Sequence, residues 1–173
     1  MDAAISACAD GICEAARGFQ APVTVLLENT AGSGSNLGSR FEELGAIREL
    51  AIAFSEVPIG YCLDTCHLLA AGFDIATPAG LRRTIREADE VLKLEHVAVF
   101  HCNDSKSPLS SRVDRHAKIG TGYVGAEPFR RLLALPELQG KTFISETPVE
   151  EEGDEARNMA TLRSLAPRQR TTR

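Results

Sequence analysis

The hydrophobic positions of the chain follow two alternating spacings. Short runs rich in apolar and β-branched residues occupy 23–27, 58–63, 96–100 and 141–145. The segments around them repeat apolar residues every three to four positions, which is typical of amphipathic helices. These predicted helices cover residues 2–18, 40–54, 78–94 and 154–165, with a short one after Ala126. Buried strands alternating with helices predict an α/β fold built on a parallel sheet.

Each predicted strand ends at a residue with an ionisable side chain, namely Glu28, Asp64, His101 and Glu146. In a parallel α/β fold the carboxyl ends of the strands lie on one face, where active sites form. A single strand-end acid usually caps a helix or pairs with an arginine. Four such residues on consecutive strands instead favour a metal site, because carboxylates and imidazole are the usual ligands of zinc or manganese.

Three further residues lie just beyond the strands and could form a second site. His67 follows the second strand on what we expect to be a turn, and Asp114 and His116 form a D-x-H motif in a loop. Side chains two residues apart in an extended loop point the same way. Three protein ligands that leave a position for water are typical of catalytic zinc. We interpret His96, at the start of the third strand, as structural.

Composition narrows the class of protein. The 173 residues suffice for one domain. The chain has no apolar run of membrane-spanning length and no basic start typical of a signal peptide, which predicts an intracellular protein. The net charge of −5 argues against a broad basic surface for nucleic acid, although bound metals and a few arginines could still meet phosphate. The five cysteines predict reduced thiols, with Cys62 and Cys66 as buried residues rather than zinc ligands.

The segments that carry these residues resemble the endonuclease IV family over about residues 2–165. The motifs are LLENTAGSGSNLG, IGYCLDTCHLLAAGFD, HCNDSKSPLSSRVDRHAKIGTGYVG and ISETP, in this order. The resemblance implies a (β/α) TIM barrel with a trinuclear zinc cluster that cleaves DNA on the 5′ side of abasic sites. It further implies that Glu28 bridges two zincs, that Asp64, His101 and Glu146 surround one of them, and that His67, Asp114 and His116 hold the third.

The resemblance also suggests roles in the reaction. Glu146 and Glu28 are the predicted catalytic carboxylates, and manganese could replace zinc. The loop after the first strand, with Gly32, Gly34 and Gly38, is hydroxyl-rich and could face a phosphate. The predicted DNA-phosphate contacts are Arg112, Lys106, Ser35 and Asn36.

The chain departs from the family in three respects. The family has Gln where this chain has Ser33, and usually Leu where it has Cys102. Two histidines from early strands, which complete the first zinc site in the family, have no counterpart here. We therefore expect a TIM barrel truncated to roughly its last four βα units over residues 1–165, with a disordered basic tail over 166–173. Its open sheet edges predict self-association, and its unopposed inner face would expose Val25, Leu27 and Phe100 or their strand neighbours.

These patterns predict a zinc-dependent DNA repair endonuclease acting on double-stranded DNA with abasic sites, cytoplasmic and nucleoid-associated, without a membrane partner. Two alternatives remain open. One is a metal-dependent sugar isomerase or epimerase of the same barrel superfamily, which would not need the set of His67, Asp114 and His116. The other is a non-catalytic zinc-binding fragment.

Overall fold

A four-stranded parallel sheet organises the chain. The computed structural model describes residues 3–167, so part of the predicted tail, residues 168–173, lies outside the described residues. The strands are β1 (Val25–Glu28), β2 (Ile59–Asp64), β3 (Val97–His101), β4 (Asp104–Ser105), β5 (His116–Ala117) and β6 (Thr142–Ile144). The main sheet has the order β1-β2-β3-β6 with every pair parallel, while β4 and β5 form a separate antiparallel ribbon. The predicted parallel α/β sheet is confirmed.

Helices connect the strands in the predicted order. They are α1 (Ala3–Ala16), α2 (Phe41–Ile52), α3 (Thr65–Ala71), α4 (Pro78–Leu92), α5 (Ala126–Leu133) and α6 (Asp154–Leu165). Helix α4 begins as predicted, since Pro78 occupies its first turn and the Thr77 hydroxyl accepts a hydrogen bond from the Gly80 amide at 3.1 Å. No helix within residues 3–167 is long and apolar enough to cross a membrane.

Two elements near the strand ends differ from the sequence expectation. The turn predicted after β2 is the short helix α3, so His67 lies on a helix. The Asp64 carboxylate caps this helix by accepting from the His67 amide at 2.9 Å, and Gly72 ends it with a left-handed φ of 112°. The second difference is the ribbon of β4 and β5, whose strands of two residues are too short for the sequence pattern to reveal. His96 ends a 3₁₀ turn and lies just before β3 rather than within it.

The two faces of the sheet have different surroundings. Leu63 and Phe100 are fully buried in the core that the helices share with the sheet. Leu27 and Phe100 therefore point toward the helices and are not exposed on the inner face, so of the two predicted alternatives only the one that names their strand neighbours agrees with the structure. Their alternate neighbours Leu26 and Val99 are only half-buried, and Ile144 is 40% exposed. Strands β1 and β6 are the edges of the described sheet, and self-association through them stays a prediction.

Candidate metal centre

The four strand-end side chains meet above the carboxyl edge of the sheet. Asp64 and His101 are register partners on β2 and β3, Glu28 ends β1, and Glu146 lies two residues after β6. His101 Nδ1 lies 3.1 Å from Glu28 Oε1, 3.1 Å from Glu146 Oε2 and 3.9 Å from Asp64 Oδ2. One ligand atom from each residue lies within 4.8 Å of the others. The parallel topology thus brings four residues that are distant in sequence into a single group, the four-ligand group.

The three residues of the predicted second site also converge, and we call them the three-ligand group. Asp114 Oδ1 lies 3.2 Å from His67 Nε2 and 3.5 Å from His116 Nε2. The two imidazole rings are tilted, with centroids 5.4 Å apart. Helix α3 supplies one ring and strand β5 the other. A helix and a ribbon that sequence reasoning did not anticipate therefore place these side chains together.

The ring nitrogens of His67 and His116 are oriented as in metal-binding histidines. His67 Nδ1 lies 2.8 Å from the Asn29 carbonyl oxygen, and His116 Nδ1 lies 3.1 Å from the Glu146 carbonyl oxygen. Both Nε2 atoms are buried, and apart from their ionic contacts with Asp114 and Asp64 they have no hydrogen-bond partner among the described residues. A metal ligand commonly donates its second N–H to a backbone carbonyl, which leaves the other nitrogen free for the metal. These residues fit a zinc ion.

Asp64 connects the two groups. Its side chain is completely buried, and its Oδ1 accepts the capping hydrogen bond from the His67 amide. Its Oδ2 lies 3.9 Å from His101 Nδ1 and 3.7 Å from His116 Nε2. The sequence leaves open whether Asp64 caps a helix or binds metal. The carboxylate can do both, because its Oδ1 caps α3 and its Oδ2 faces the two histidines.

Two buried asparagines that sequence reasoning missed hold this arrangement in place. Asn103 Nδ2 donates to Asp64 Oδ2 at 2.5 Å, and its Oδ1 accepts from the Glu146 amide at 2.8 Å. Asn29 Oδ1 accepts from the Asp64 amide at 2.6 Å, while its carbonyl holds His67. Both asparagines follow a strand end within two residues, and that position was the available signal. They fix Asp64 from two sides.

The electrostatics of the region favour a cation. Burial lowers the pKa of His67, but the carboxylates of Asp64 and Asp114 and the Asn29 carbonyl outweigh burial, so that this pKa lies above its usual value. The surroundings of His67 therefore stabilise a positive charge on its imidazole when the ring is protonated. The donor set of carboxylates and imidazoles suits zinc or manganese.

Burial raises the pKa of the three cysteine thiols near the centre. Burial, reinforced by the Glu28 and Asp64 charges, raises the pKa of Cys62 to about 12. Burial also raises the pKa of Cys66 to about 11 and that of Cys102 to about 12. A thiolate is the metal-binding form, so these values agree with buried structural residues.

The four predicted phosphate contacts occupy different environments. Arg112 is exposed, and its side chain lies beside Gly32. Lys106 is also exposed, but its Nζ is 3.5 Å from Glu150 Oε1. Ser35 and Asn36 are exposed on the loop after β1. The role of all four residues as phosphate contacts stays a prediction. Because Lys106 already pairs with Glu150, it is a weaker candidate for binding phosphate than Arg112.

The fold and this centre define a class of protein. The sequence model of the xylose isomerase-like TIM barrel family matches residues 2–166. The chain belongs to this family.

Within the family, the chain is similar to several endonucleases. It is 56% identical over 167 residues to probable endonuclease 4 of Solibacter usitatus, covering 96% of this chain and 58% of that protein. It is 46% identical over 166 residues to probable endonuclease 4 of Chloroflexus aurantiacus, covering 95% and 58%. The crystal structure of endonuclease IV from Thermus thermophilus is similar with a TM-score of 0.79 and 37% identity, covering 91% and 55%. The chain thus spans a little over half the length of these relatives.

Proposed function

We propose that this chain carries the zinc-binding part of a DNA repair endonuclease that hydrolyses the phosphodiester 5′ to abasic sites in double-stranded DNA, on the nucleoid in the cytoplasm. The observation that carries the proposal is the convergence of the four-ligand group with His67 and His116, because Asp64 lies close to both sets. The names of the relatives at 56% and 46% identity support the endonuclease class. Since the chain spans 58% of their length, the activity of the whole protein is part of the proposal.

Two metal positions follow from the described ligands. The four-ligand group would hold one zinc, and the three-ligand group would hold another. The resemblance implies a third zinc that shares Glu28, but no further histidine of this chain matches its ligands. Bound zinc would supply positive charge to the phosphate oxygens and lower the pKa of an attacking water.

The side chains of the centre differ in what they can do for the substrate. Glu146 and Glu28 have side chains that are 48% and 35% exposed, so they can reach a water or a phosphate from solvent. Asp64 is fully buried and held by Asn103, so we assign it to binding metal and not to contacting the substrate. We assign Glu146 and Glu28 to orienting the attacking water and accepting its proton.

A sugar isomerase is the second candidate function, because the family is described as xylose isomerase-like and one metal group alone could serve an isomerase. The three-ligand group distinguishes the two functions. Its unpartnered Nε2 atoms call for a further metal that an isomerase with one group does not need. The endonuclease is therefore the better supported proposal.

Cleavage of a defined duplex tests the proposal. The purified chain, loaded with zinc, would be incubated with a duplex containing one abasic analogue and with the same duplex without it. The matched experiment uses the full-length Solibacter usitatus relative and its variant at the position equivalent to His116. We expect lesion-dependent 5′ cleavage by the full-length protein and at least about a hundredfold loss in the variant, with DNA binding retained. Equal cleavage by the variant, or turnover of aldoses in place of DNA, would overturn the assignment.

A further inference from the structure

Ser33 links two loops that meet beside the three-ligand group. It lies in the glycine-rich loop between β1 and α2, and its hydroxyl donates to the Arg112 carbonyl oxygen at 2.6 Å, across 79 residues of sequence. Arg112 belongs to the loop between β4 and β5, which presents Asp114.

The loop between β4 and β5 is strained where Ser33 holds it. Ser110 and Arg112 both have left-handed backbone conformations, with φ of 63° and 55°. Such conformations cost roughly 1–3 kcal/mol each for residues other than glycine and persist only where surrounding contacts enforce them. The Ser110 amide donates to Leu69 O at 3.0 Å and the Arg112 amide to Ala70 O at 3.0 Å. These two bonds attach the loop to the end of α3, the helix that carries His67.

The Ser33 bond attaches the same loop to a second element. The loop after β1 starts with Asn29, directly after Glu28, and the Asn29 carbonyl orients His67. The Asp114 side chain, two residues after Arg112, is 55% exposed. Its position therefore depends on how firmly the backbone around it is held, and the Ser33 bond is one of the attachments that hold it.

We propose that Ser33 is a positioning residue that fixes the loop carrying Asp114 and thereby sets the metal affinity of the three-ligand group. The inference rests on the proposed function only for the identity of the metal. Without the hydroxyl, the Arg112 carbonyl loses its hydrogen bond to the loop after β1. The Asp114 side chain then samples positions farther from His67 Nε2 and His116 Nε2. The affinity of the four-ligand group should not depend on this bond, because Asp64, His101 and Glu146 are held by the sheet and Asn103.

Metal titration with Zn²⁺ and with Co²⁺ as a spectroscopic probe tests the proposal. The variants are Ser33→Ala, Ser33→Thr, which keeps the hydroxyl, and Ser39→Ala, a control in the same loop that forms no hydrogen bond to Arg112. We expect Ser33→Ala to weaken by about tenfold the site that His116→Ala abolishes, as is typical for residues that support metal ligands. Ser33→Thr should restore the affinity, and Ser39→Ala should leave it unchanged. Equal affinity in Ser33→Ala, or no rescue by threonine, would overturn the proposal.

Amide hydrogen exchange on the metal-free chain provides a second readout. Removing the Ser33 hydroxyl should speed exchange of the Arg112 amide, while the Gly80 amide at the start of α4 stays protected. Unchanged exchange at Arg112 would count against the link, as would a wild-type chain that binds no metal through His116. Neither measurement uses DNA, so failure to cleave abasic DNA would contradict the proposed function and leave the role of Ser33 standing.

Discussion

The candidate metal centre and the surroundings of Asp104 and Asp154 both contain buried carboxylates, but the hydrogen bonding of the groups around them differs. In the metal centre, carboxylates surround histidines whose buried Nε2 atoms have no hydrogen-bond partner among the described residues. Around Asp104 and Asp154, by contrast, each buried carboxylate receives several donors from the chain itself. A buried acid therefore does not by itself mark a binding site. What distinguishes the candidate metal centre is that His67 Nε2 and His116 Nε2 make no hydrogen bond among the described residues.

Asp104 shows how completely a structural acid can be satisfied. Its side chain is fully buried, and its two oxygens accept five backbone N–H bonds at 2.8–3.2 Å. The bonds converge on the loop before α5, and a side chain at Gly122 would collide with the Ser105 carbonyl and with the carboxylate. The donors are the amides of Ser105, Gly120, Gly122, Val124 and Gly125.

Asp154 is satisfied by cations as well as amides. Lys118 Nζ lies 2.8 Å away, Arg157 donates at 2.7 Å, and the amides of Glu150 and Glu151 donate at 3.0 Å each. These groups, led by the hydrogen bond from Lys118, hold the pKa of Asp154 well below its usual range. No ligand is needed to complete this cluster.

The largest effect on folding should come from Asp104→Ala. The substitution leaves five N–H groups without their acceptor, and the loss costs about 1–3 kcal/mol for each of the two buried ones, Ser105 and Val124, and less for the three partly buried glycine amides. Allowing for water and relaxation, we expect a loss of roughly 4 kcal/mol in the free energy of unfolding, measured by urea denaturation. Metal bound per folded chain should not change. If Asp104→Ala lost bound metal but kept the wild-type free energy of unfolding, Asp104 would belong to the metal site and would not be a structural acid.

The opposite behaviour is expected from the double variant Glu146→Ala, His101→Ala. Removing two members of the four-ligand group should weaken its zinc binding by at least about a hundredfold, because half of the donors are gone. Without metal, the free energy of unfolding should change by no more than about 1 kcal/mol. Both side chains are partly exposed, and removing the Glu146 carboxylate relieves its repulsion from the neighbouring carboxylates. Elemental analysis and denaturation in EDTA measure the two effects. Unchanged metal content would show that these residues do not bind metal.

A smaller loss is expected from His116→Ala. It should remove one equivalent of zinc and leave the four-ligand group occupied, because His116 is not one of the four ligands of that group and its Nε2 lies 3.7 Å from Asp64 Oδ2. Competition titration with a chromophoric chelator resolves the two affinities. Loss of all metal, or of none, would contradict two separate groups.

The smallest effect concerns pH and the Asp154 cluster. A carboxyl whose pKa is lowered in the folded state stabilises the fold above its unfolded pKa, near about 4, and loses that contribution as pH falls toward the folded value. In EDTA, the stability advantage of the wild type over Asp154→Asn should therefore be constant from about pH 6 to 7 and shrink below about pH 4. Urea midpoints across this range measure it. An advantage that grew on acidification would mean that the sign of the shift is wrong.

Much of the fold follows from the sequence, because the buried strands and amphipathic helices have clear periods. The strand ends at Glu28, Asp64 and His101 lie where the pattern predicts them, whereas the fourth strand ends at Ile144 and leaves Glu146 two residues beyond it. Helix α3 escaped prediction because its seven residues are apolar nearly throughout and follow a strand directly. Likewise, no periodic signal could predict that Asn29 and Asn103 hold Asp64, since these contacts join residues 35 and 39 positions apart.

Anomalous diffraction from crystals of the chain soaked with zinc tests the central claim most directly. We expect one peak bounded by Glu28, Asp64, His101 and Glu146. We expect another within about 2.0–2.2 Å of His67 Nε2, His116 Nε2 and an Asp114 oxygen. No peak should lie beside Asp104 or Asp154. A zinc-soaked crystal without a peak between the two histidines, or with zinc only at the cysteines, would contradict the assignment of this metal centre.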